Sequence, residues 1–316
     1  MAATQAREHG HGSQGEGWLT EHSVTTESIA GSTVHLIHVE TMDGLYAPIG
    51  LRKPPGEGPF PIVLLASGNG GGGMAWIRDA LLNSGYIMGR LLGEGYACAW
   101  LRYRSEVELG YHLGGKLVRD TRQGRDLFNR SPLEYEDEIA IIEFVKTLSF
   151  VDPDRVALIG MSHGGEMVLK ITSEYHGAAV AVASEPAAHE FLALDPDETA
   201  FVDASTQLRN IESMQMRQVE KVRERIDTEV AAARISSIET PLLVMGRESD
   251  HLQGIFRATY ELLAEAGKDV EWVSYDHTLH GYVFPVRGAD GAYEVDETQT
   301  TAIEGVLSYL ARYLTA

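Results

Sequence analysis

Hydrophobic residues follow two rhythms along this chain, and the rhythm switches at intervals. Apolar and polar residues alternate over residues 23–28 and 34–39 and lead into 45–51. A period of two puts every second side chain on one face of a strand, so a small hairpin followed by a third strand is predicted. After the linker Lys53-Pro54-Pro55-Gly56-Glu57-Gly58-Pro59 come short, nearly continuous apolar blocks at 61–66, 96–103, 156–160, 179–183, 241–246 and 270–275. Blocks of that length fit strands covered on both faces. Between them apolar residues recur every three or four positions, at 77–92, 133–148, 165–176, 255–266 and 300–314. Ile139, Ile142, Val145 and Leu148 mark one such helical stripe; Ile303, Val306, Leu307, Leu310 and Leu314 mark another. Strand and helix in alternation predict an α/β fold, a mostly parallel sheet with helices on both faces. Residues 105–130 show neither rhythm and read as irregular.

One stretch breaks the alternation. Between the blocks at 179–183 and 241–246, residues of about 186–238 carry Leu208, Ile211, Met214, Val219, Val222, Ile226 and Val230 at helical spacing, with Arg, Lys and Glu between them. A helix with one apolar stripe packs that stripe on something. The reading is a helical cap insertion, with an ordinary packing face or a homodimer surface as alternatives. Residues 1–20 are polar and glycine-containing, which predicts a disordered N-terminus; His9 and His11 are too isolated for a metal site. Residues 21–316 then form one domain with its insertion, a size that buries a large core.

The formal net charge of −20 repels phosphate backbones and anionic lipid, so neither nucleic acid nor membrane is an expected partner. The N-terminus has no apolar stretch, and no run approaches the roughly 18 apolar residues of a membrane span, so a soluble, cytoplasmic protein is expected. Cys98 is the sole cysteine. It lies inside a strand block and reads as a buried, inert thiol.

The candidate chemistry sits at strand ends. Gly160-Met161-Ser162-His163-Gly164 joins the apolar run 156–160 to a helical stretch. A serine at a sharp strand-to-helix turn is lifted above the sheet edge, and flanking glycines leave room for the turn. Ser162 is therefore the candidate nucleophile. A serine needs a base, and the base an orienting acid. Arg247-Glu248-Ser249-Asp250-His251 follows the block at 241–246, and Asp276-His277-Thr278-Leu279-His280-Gly281-Tyr282 follows the block at 270–275. His280, with glycine after it, is the expected base; His277 reads as a surface histidine or one lying behind the site, and His251 as exposed. The backbone N–H of His163, at the head of a helix, is one expected oxyanion donor. The other is the Asn69 N–H, with Gly70 next, in the loop Ser67-Gly68-Asn69-Gly70-Gly71-Gly72-Gly73. That loop also satisfies G-x-G-x-x-G, but the strand after it ends without a ribose-binding acid and some 60 residues precede it, so a dinucleotide site is not expected.

Gly160-Met161-Ser162-His163-Gly164-Gly165, the phrase Phe150-Val151-Asp152-Pro153-Asp154-Arg155-Val156 and His280-Gly281-Tyr282 make the chain resemble the α/β-hydrolase superfamily, in the branch of prolyl-oligopeptidase-like and dienelactone-hydrolase-like enzymes. The resemblance runs from about residue 59 to the C-terminus. It implies an esterase-like serine hydrolase working through an acyl-enzyme, with no cofactor and no metal, on a small-molecule ester. Dienelactone hydrolases carry cysteine where this chain has Ser162, which argues against that activity. The family's usual acid position falls on Ser249, with Asp250 after it and Glu248 before it; Asp250 is the expected acid. Peptide cleavage is the alternative reading. It ranks second because no N-terminal propeller is present and Glu185 alone does not make an amine clamp. A nucleotide-dependent reductase and a non-catalytic binding protein are remote alternatives.

Overall fold

The computed structural model describes residues 23–41, 44–68, 72–102, 132–194 and 216–315. The alternating N-terminal segments form β1 (Ser23–Ile29), β2 (Ser32–Glu40) and β3 (Tyr46–Arg52), an antiparallel meander. The apolar blocks become β4 (Phe60–Ala66), β5 (Ala97–Leu101), β6 (Val151–Met161), β7 (Val180–Ser184), β8 (Leu242–Arg247) and β9 (Val270–Tyr275). All nine join one sheet in the order β1-β2-β3-β5-β4-β6-β7-β8-β9. β3 meets β5 antiparallel, and every pairing from β5 to β9 is parallel. The register pairs Ala66 with Gly160, Met161 with Ser184, Ser184 with Met245 and Arg247 with Tyr275. The C-terminal ends of β4, β6, β7, β8 and β9 therefore line one edge, where open parallel sheets place their sites.

Eight helices flank the sheet among the described residues: α1 (Gly73–Asn83), α2 (Tyr86–Gly93), α3 (Pro132–Lys146), α4 (His163–Glu174), α5 (Val219–Arg223), α6 (Thr228–Ser237), α7 (Gln253–Glu265) and α8 (Glu297–Leu314). Strand periodicity divides the core in two. Ile62 and Leu64 point to the face shared with Ile142, Val168 and Phe256, while Val63 and Leu65 point to the face shared with Ile77, Met88 and Leu310. This is the expected architecture, helices on both faces of a mostly parallel sheet. Asp296 caps α8 through a reciprocal pair with Gln299, each side chain bonding the other's backbone N–H. Cys98 is fully buried in β5, and burial pushes its thiol up to about 12. No helix among the described residues is long and apolar enough to cross a membrane.

Two local expectations are corrected. The stripe at 77–92 predicts one helix, but the chain breaks at Ser84-Gly85 into α1 and α2. Tertiary bonds override the periodicity there: Gly85 N–H donates to the Tyr293 hydroxyl at 3.0 Å, and Arg52 donates to the Leu81 carbonyl at 3.2 Å. The insertion's stripe is likewise not one face. Asp227 caps α6 by accepting from the N–H groups of Glu229 and Val230, and the turn before it re-aims the chain. Val222 and Ile235 are buried while Val230 is exposed. α5 packs on α7 and α6 on α4, so residues 216–238 lie on the helical flank of the sheet. Residues 195–215, with Leu208, Ile211 and Met214, lie outside the described residues, as do residues 1–20 and 105–130.

Candidate active site

Four adjacent parallel strands each deliver one polar residue to the same edge. Ser162 follows β6, Glu185 follows β7, Asp250 lies on the turn after β8, and His280 lies on the loop after β9.

Ser162 occupies the turn between β6 and α4 with φ 56° and ψ −116°, a conformation L-residues rarely adopt. Its backbone is held on three sides: Ser162 N–H donates to Ser184 O at 3.0 Å, and Ser162 O accepts from Glu166 and Ala187 at 3.1 and 3.0 Å. The flanking glycines are required by contact. A Cβ on Gly160 would stand 2.0 Å from the Gly164 carbonyl oxygen, and one on Gly164 would stand 2.4 Å from that of Ala66. Strand, turn and helix thus interlock with no space for side chains. His163 begins α4, so its backbone N–H lies at the positive end of the helix. Its ring faces inward, 2.7 Å from the Glu134 carboxylate, leaving the backbone as the group it can offer a substrate. Gly68 in the loop after β4 lies beside the serine, with space for a Cβ 3.5 Å from the Ser162 Cβ. Arg102 bonds the Gly68 carbonyl at 2.8 Å and lies over the Trp76 ring at 4.6 Å, which fixes the start of that loop. Asn69 and Gly70 lie outside the described residues.

The other half of the site is a charge cluster. His280 Nδ1 lies 3.1 Å from Asp250 Oδ2 and 3.3 Å from Glu185 Oε1. Both carboxylates are completely buried. Arg247 neutralises them together, with Nη2 at 2.6 Å from Asp250 Oδ2 and Nε at 3.3 Å from Glu185 Oε1. Asp250 also accepts from Leu252 N–H at 2.8 Å. Burial raises the Asp250 pKa, but its hydrogen bonds from His280, Leu252 and Arg247 outweigh burial and hold it well below the usual carboxylate range. The opposite balance governs His280. Burial lowers its pKa, and the hydrogen bonds and charges of Asp250 and Glu185 overcome that and push it up to about 10. Asp250, Glu185 and His280 offer ligand atoms within 4.8 Å of one another, a set suited by type to a metal ion, but Arg247 already forms ion pairs with both carboxylates.

The loop that carries His280 is pinned from both sides. Gly281 N–H donates to Glu185 Oε2 at 2.7 Å, and the buried Tyr282 hydroxyl donates to Gly246 O at 2.9 Å. Gly281 has φ 77°, and a Cβ there would meet Met161 Sδ at 2.0 Å. The residue after His280 is thus seated on the residue before Ser162. Among the described residues no hydrogen bond joins Ser162 Oγ to His280; free enzymes often hold such pairs loosely and tighten them on the substrate.

Of the expected site residues, the structure brings His280 and Asp250 into contact and places the His163 N–H next to Ser162 at the head of α4. Glu248 is exposed and its backbone N–H bonds Tyr275 O. His277 is not at the surface but behind the site: it is buried, its ring bonds Asp296, the cap of α8, at 3.0 Å, and its carbonyl accepts from Arg247 at 3.2 Å. His251, expected to be exposed, is largely covered and lies 3.2 Å from the far oxygen of Asp250. Glu185 and Arg247 were missed as site residues. A signal existed, since Glu185 directly follows an apolar strand block at the same edge as the serine.

A family model for the alpha/beta hydrolase fold matches residues 128–284, the span from α3 past His280. Among solved structures, Porphyromonas gingivalis dipeptidyl peptidase 4 superposes with a TM-score of 0.61 at 18% identity, over 90% of this chain and 36% of that one. Pyrococcus horikoshii acylaminoacyl peptidase gives 0.57 at 15%, over 94% of this chain and 43% of that one. This chain therefore spans well under half the length of either peptidase. A thermophilic carboxylesterase cloned from a metagenomic library gives 0.59 at 18%, over 92% of both chains. At these identities the likeness is one of fold. The chain thus has the α/β-hydrolase fold.

Proposed function

We propose that this chain is a serine hydrolase that cleaves carboxylic esters through an acyl-enzyme on Ser162. The observation that supports the reading is a strained, glycine-locked serine after β6 at the same sheet edge as a histidine whose Nδ1 bonds a buried carboxylate after β8. With Nδ1 committed to Asp250, Nε2 is the ring nitrogen that takes the Ser162 proton as Oγ attacks the ester carbonyl. The His163 N–H holds the developing oxyanion, and the loop after Gly68 supplies the second donor, assigned to Asn69. His280 gives its proton to the departing alkoxide. Water then attacks the acyl-enzyme, again losing its proton to His280, and Ser162 Oγ recovers that proton as the acid leaves.

The likeness over 92% of both chains to a carboxylesterase supports ester cleavage. The likeness to two peptidases supports amide cleavage as the second reading. The deciding experiment is turnover of short and medium p-nitrophenyl esters beside a panel of peptide amides, with wild type and Ser162→Ala. Ester turnover that Ser162→Ala lowers by about 10⁴-fold or more supports the esterase. Turnover confined to amides moves the assignment to peptidase, and activity that survives Ser162→Ala removes the serine mechanism.

A further inference from the structure

We propose that Glu185 is a second carboxylate partner of the His280 imidazolium and acts as a positioning residue that shares the work of the acid with Asp250. The proposal rests on the serine hydrolase reading and adds a fourth member to its site.

An imidazole has one Nδ1–H, and here two carboxylate oxygens stand within reach of it, at 3.1 Å from Asp250 and 3.3 Å from Glu185. The hydrogen bond runs to Asp250, while Glu185 Oε1, buried and with no hydrogen-bond partner of its own, stands in ion-pair contact with the same ring nitrogen. Glu185 is built into this position. It is fully buried, its backbone takes φ 49°, and its N–H donates to Met245 O at 2.8 Å. A non-glycine residue in that conformation persists only when its surroundings hold it there. Its second oxygen accepts the Gly281 N–H at 2.7 Å, so one carboxylate grips both the His280 ring and the backbone that follows it. Asp250 lacks that backbone contact: its other oxygen accepts from Leu252 and lies near His251.

The charge count makes both acids tenable. The charged and titratable groups facing His280 are Asp250 and Glu185, the Arg247 guanidinium ion-paired with both, and His251 behind Asp250. Two carboxylates and one guanidinium leave one net negative charge, which an imidazolium balances when His280 accepts the serine proton. A single acid paired with Arg247 would leave none. Arg247 is thus compatible with the site only because there are two carboxylates, and Glu185 restores the negative charge that Arg247 takes from Asp250.

The test compares Asp250→Asn, Glu185→Gln, Glu185→Asp and the Asp250→Asn/Glu185→Gln double variant. Glutamine keeps an oxygen for the Gly281 N–H, and aspartate keeps the charge while withdrawing it from the ring. Removing the acid of an isolated triad costs about 10⁴-fold in kcat. Here Asp250→Asn is expected to cost only about 10²-fold, and the double variant about 10⁴-fold or more. Glu185→Gln is expected to cost about tenfold in kcat with KM unchanged, and to move the acidic limb of the kcat/KM profile down by at least one pH unit. Glu185→Asp is expected to move it less. A ¹⁵N titration of His280 in each variant reads the same shift without turnover. An unchanged His280 titration in both Glu185 variants, or an Asp250→Asn loss equal to that of the double variant, overturns the proposal. Failure of the hydrolase reading appears elsewhere, as ester turnover that does not require Ser162.

Discussion

The two halves of the site are held in place by different forces. Around Ser162 the positioning is steric: backbone touches backbone at Gly160 and Gly164, and a strained serine is fixed because nothing else fits. Around His280 the positioning is electrostatic, with two buried carboxylates and one guanidinium setting the ring's direction and its affinity for a proton. The steric half is independent of solution conditions and intolerant of added volume. The electrostatic half tolerates changes of shape and responds to pH. The proposed nucleophile and the proposed base therefore fail in different ways.

The sharpest way to break the steric half is Gly160→Ala. Its Cβ meets a backbone oxygen that no rotamer can move, so a loss of about 5 kcal/mol or more is expected, seen as a collapsed denaturant midpoint or insoluble protein. Retention of wild-type stability would show that the elbow can open. On the electrostatic side, Arg247→Met keeps volume and strips Asp250 and Glu185 of their guanidinium; the expected cost is about 3–5 kcal/mol in urea unfolding. A near-neutral result would mean that the carboxylates share a proton instead.

The pH dependence separates the halves without mutation. His280 must be neutral to act as a base, and its pKa is pushed up to about 10, so kcat/KM is expected to rise about tenfold per unit between pH 7 and 9. A flat profile over that range would refute this balance of charges. The same raised pKa favours folding while the ring is protonated. That stabilisation is complete below about pH 6.5 and is lost as pH rises towards 10. Thermal stability is therefore expected to fall across the window in which turnover climbs. The smallest effect is expected away from the site. Asp296→Ala removes the α8 cap and the partner of His277, costing about 1 kcal/mol in thermal unfolding with kcat unchanged. A tenfold change in kcat would bring His277 into the mechanism.

The same contrast explains what could be read from the chain. Ser162 was legible because steric positioning leaves a local signature, glycines at fixed offsets between a strand block and a helix. His280 and Asp250 were legible because both follow apolar blocks at one sheet edge. Glu185 was passed over because its role depends on a residue 96 positions away, Gly281, and on a charge count that no local pattern records. Arg247 was passed over for the same reason. In the fold, the period-two strands and the outer helices were read to within a few residues. The break at Ser84-Gly85 was not, since it is imposed by Arg52 and Tyr293, remote in sequence. The insertion misled through spacing, because Val230 fits a helical stripe yet faces solvent once Asp227 starts a new helix.

Cys98 turns the sheet into its own reporter. A lone thiol at zero exposure in β5, with ionisation deferred to about pH 12, is closed to alkylating and disulfide reagents while the strands stay paired. The rate at which such a reagent marks the native chain therefore clocks the opening of the parallel sheet itself. A cysteine introduced at an exposed position such as Glu229 would take a dye or spin label as the single fast-reacting site, with no need to engineer away the native one.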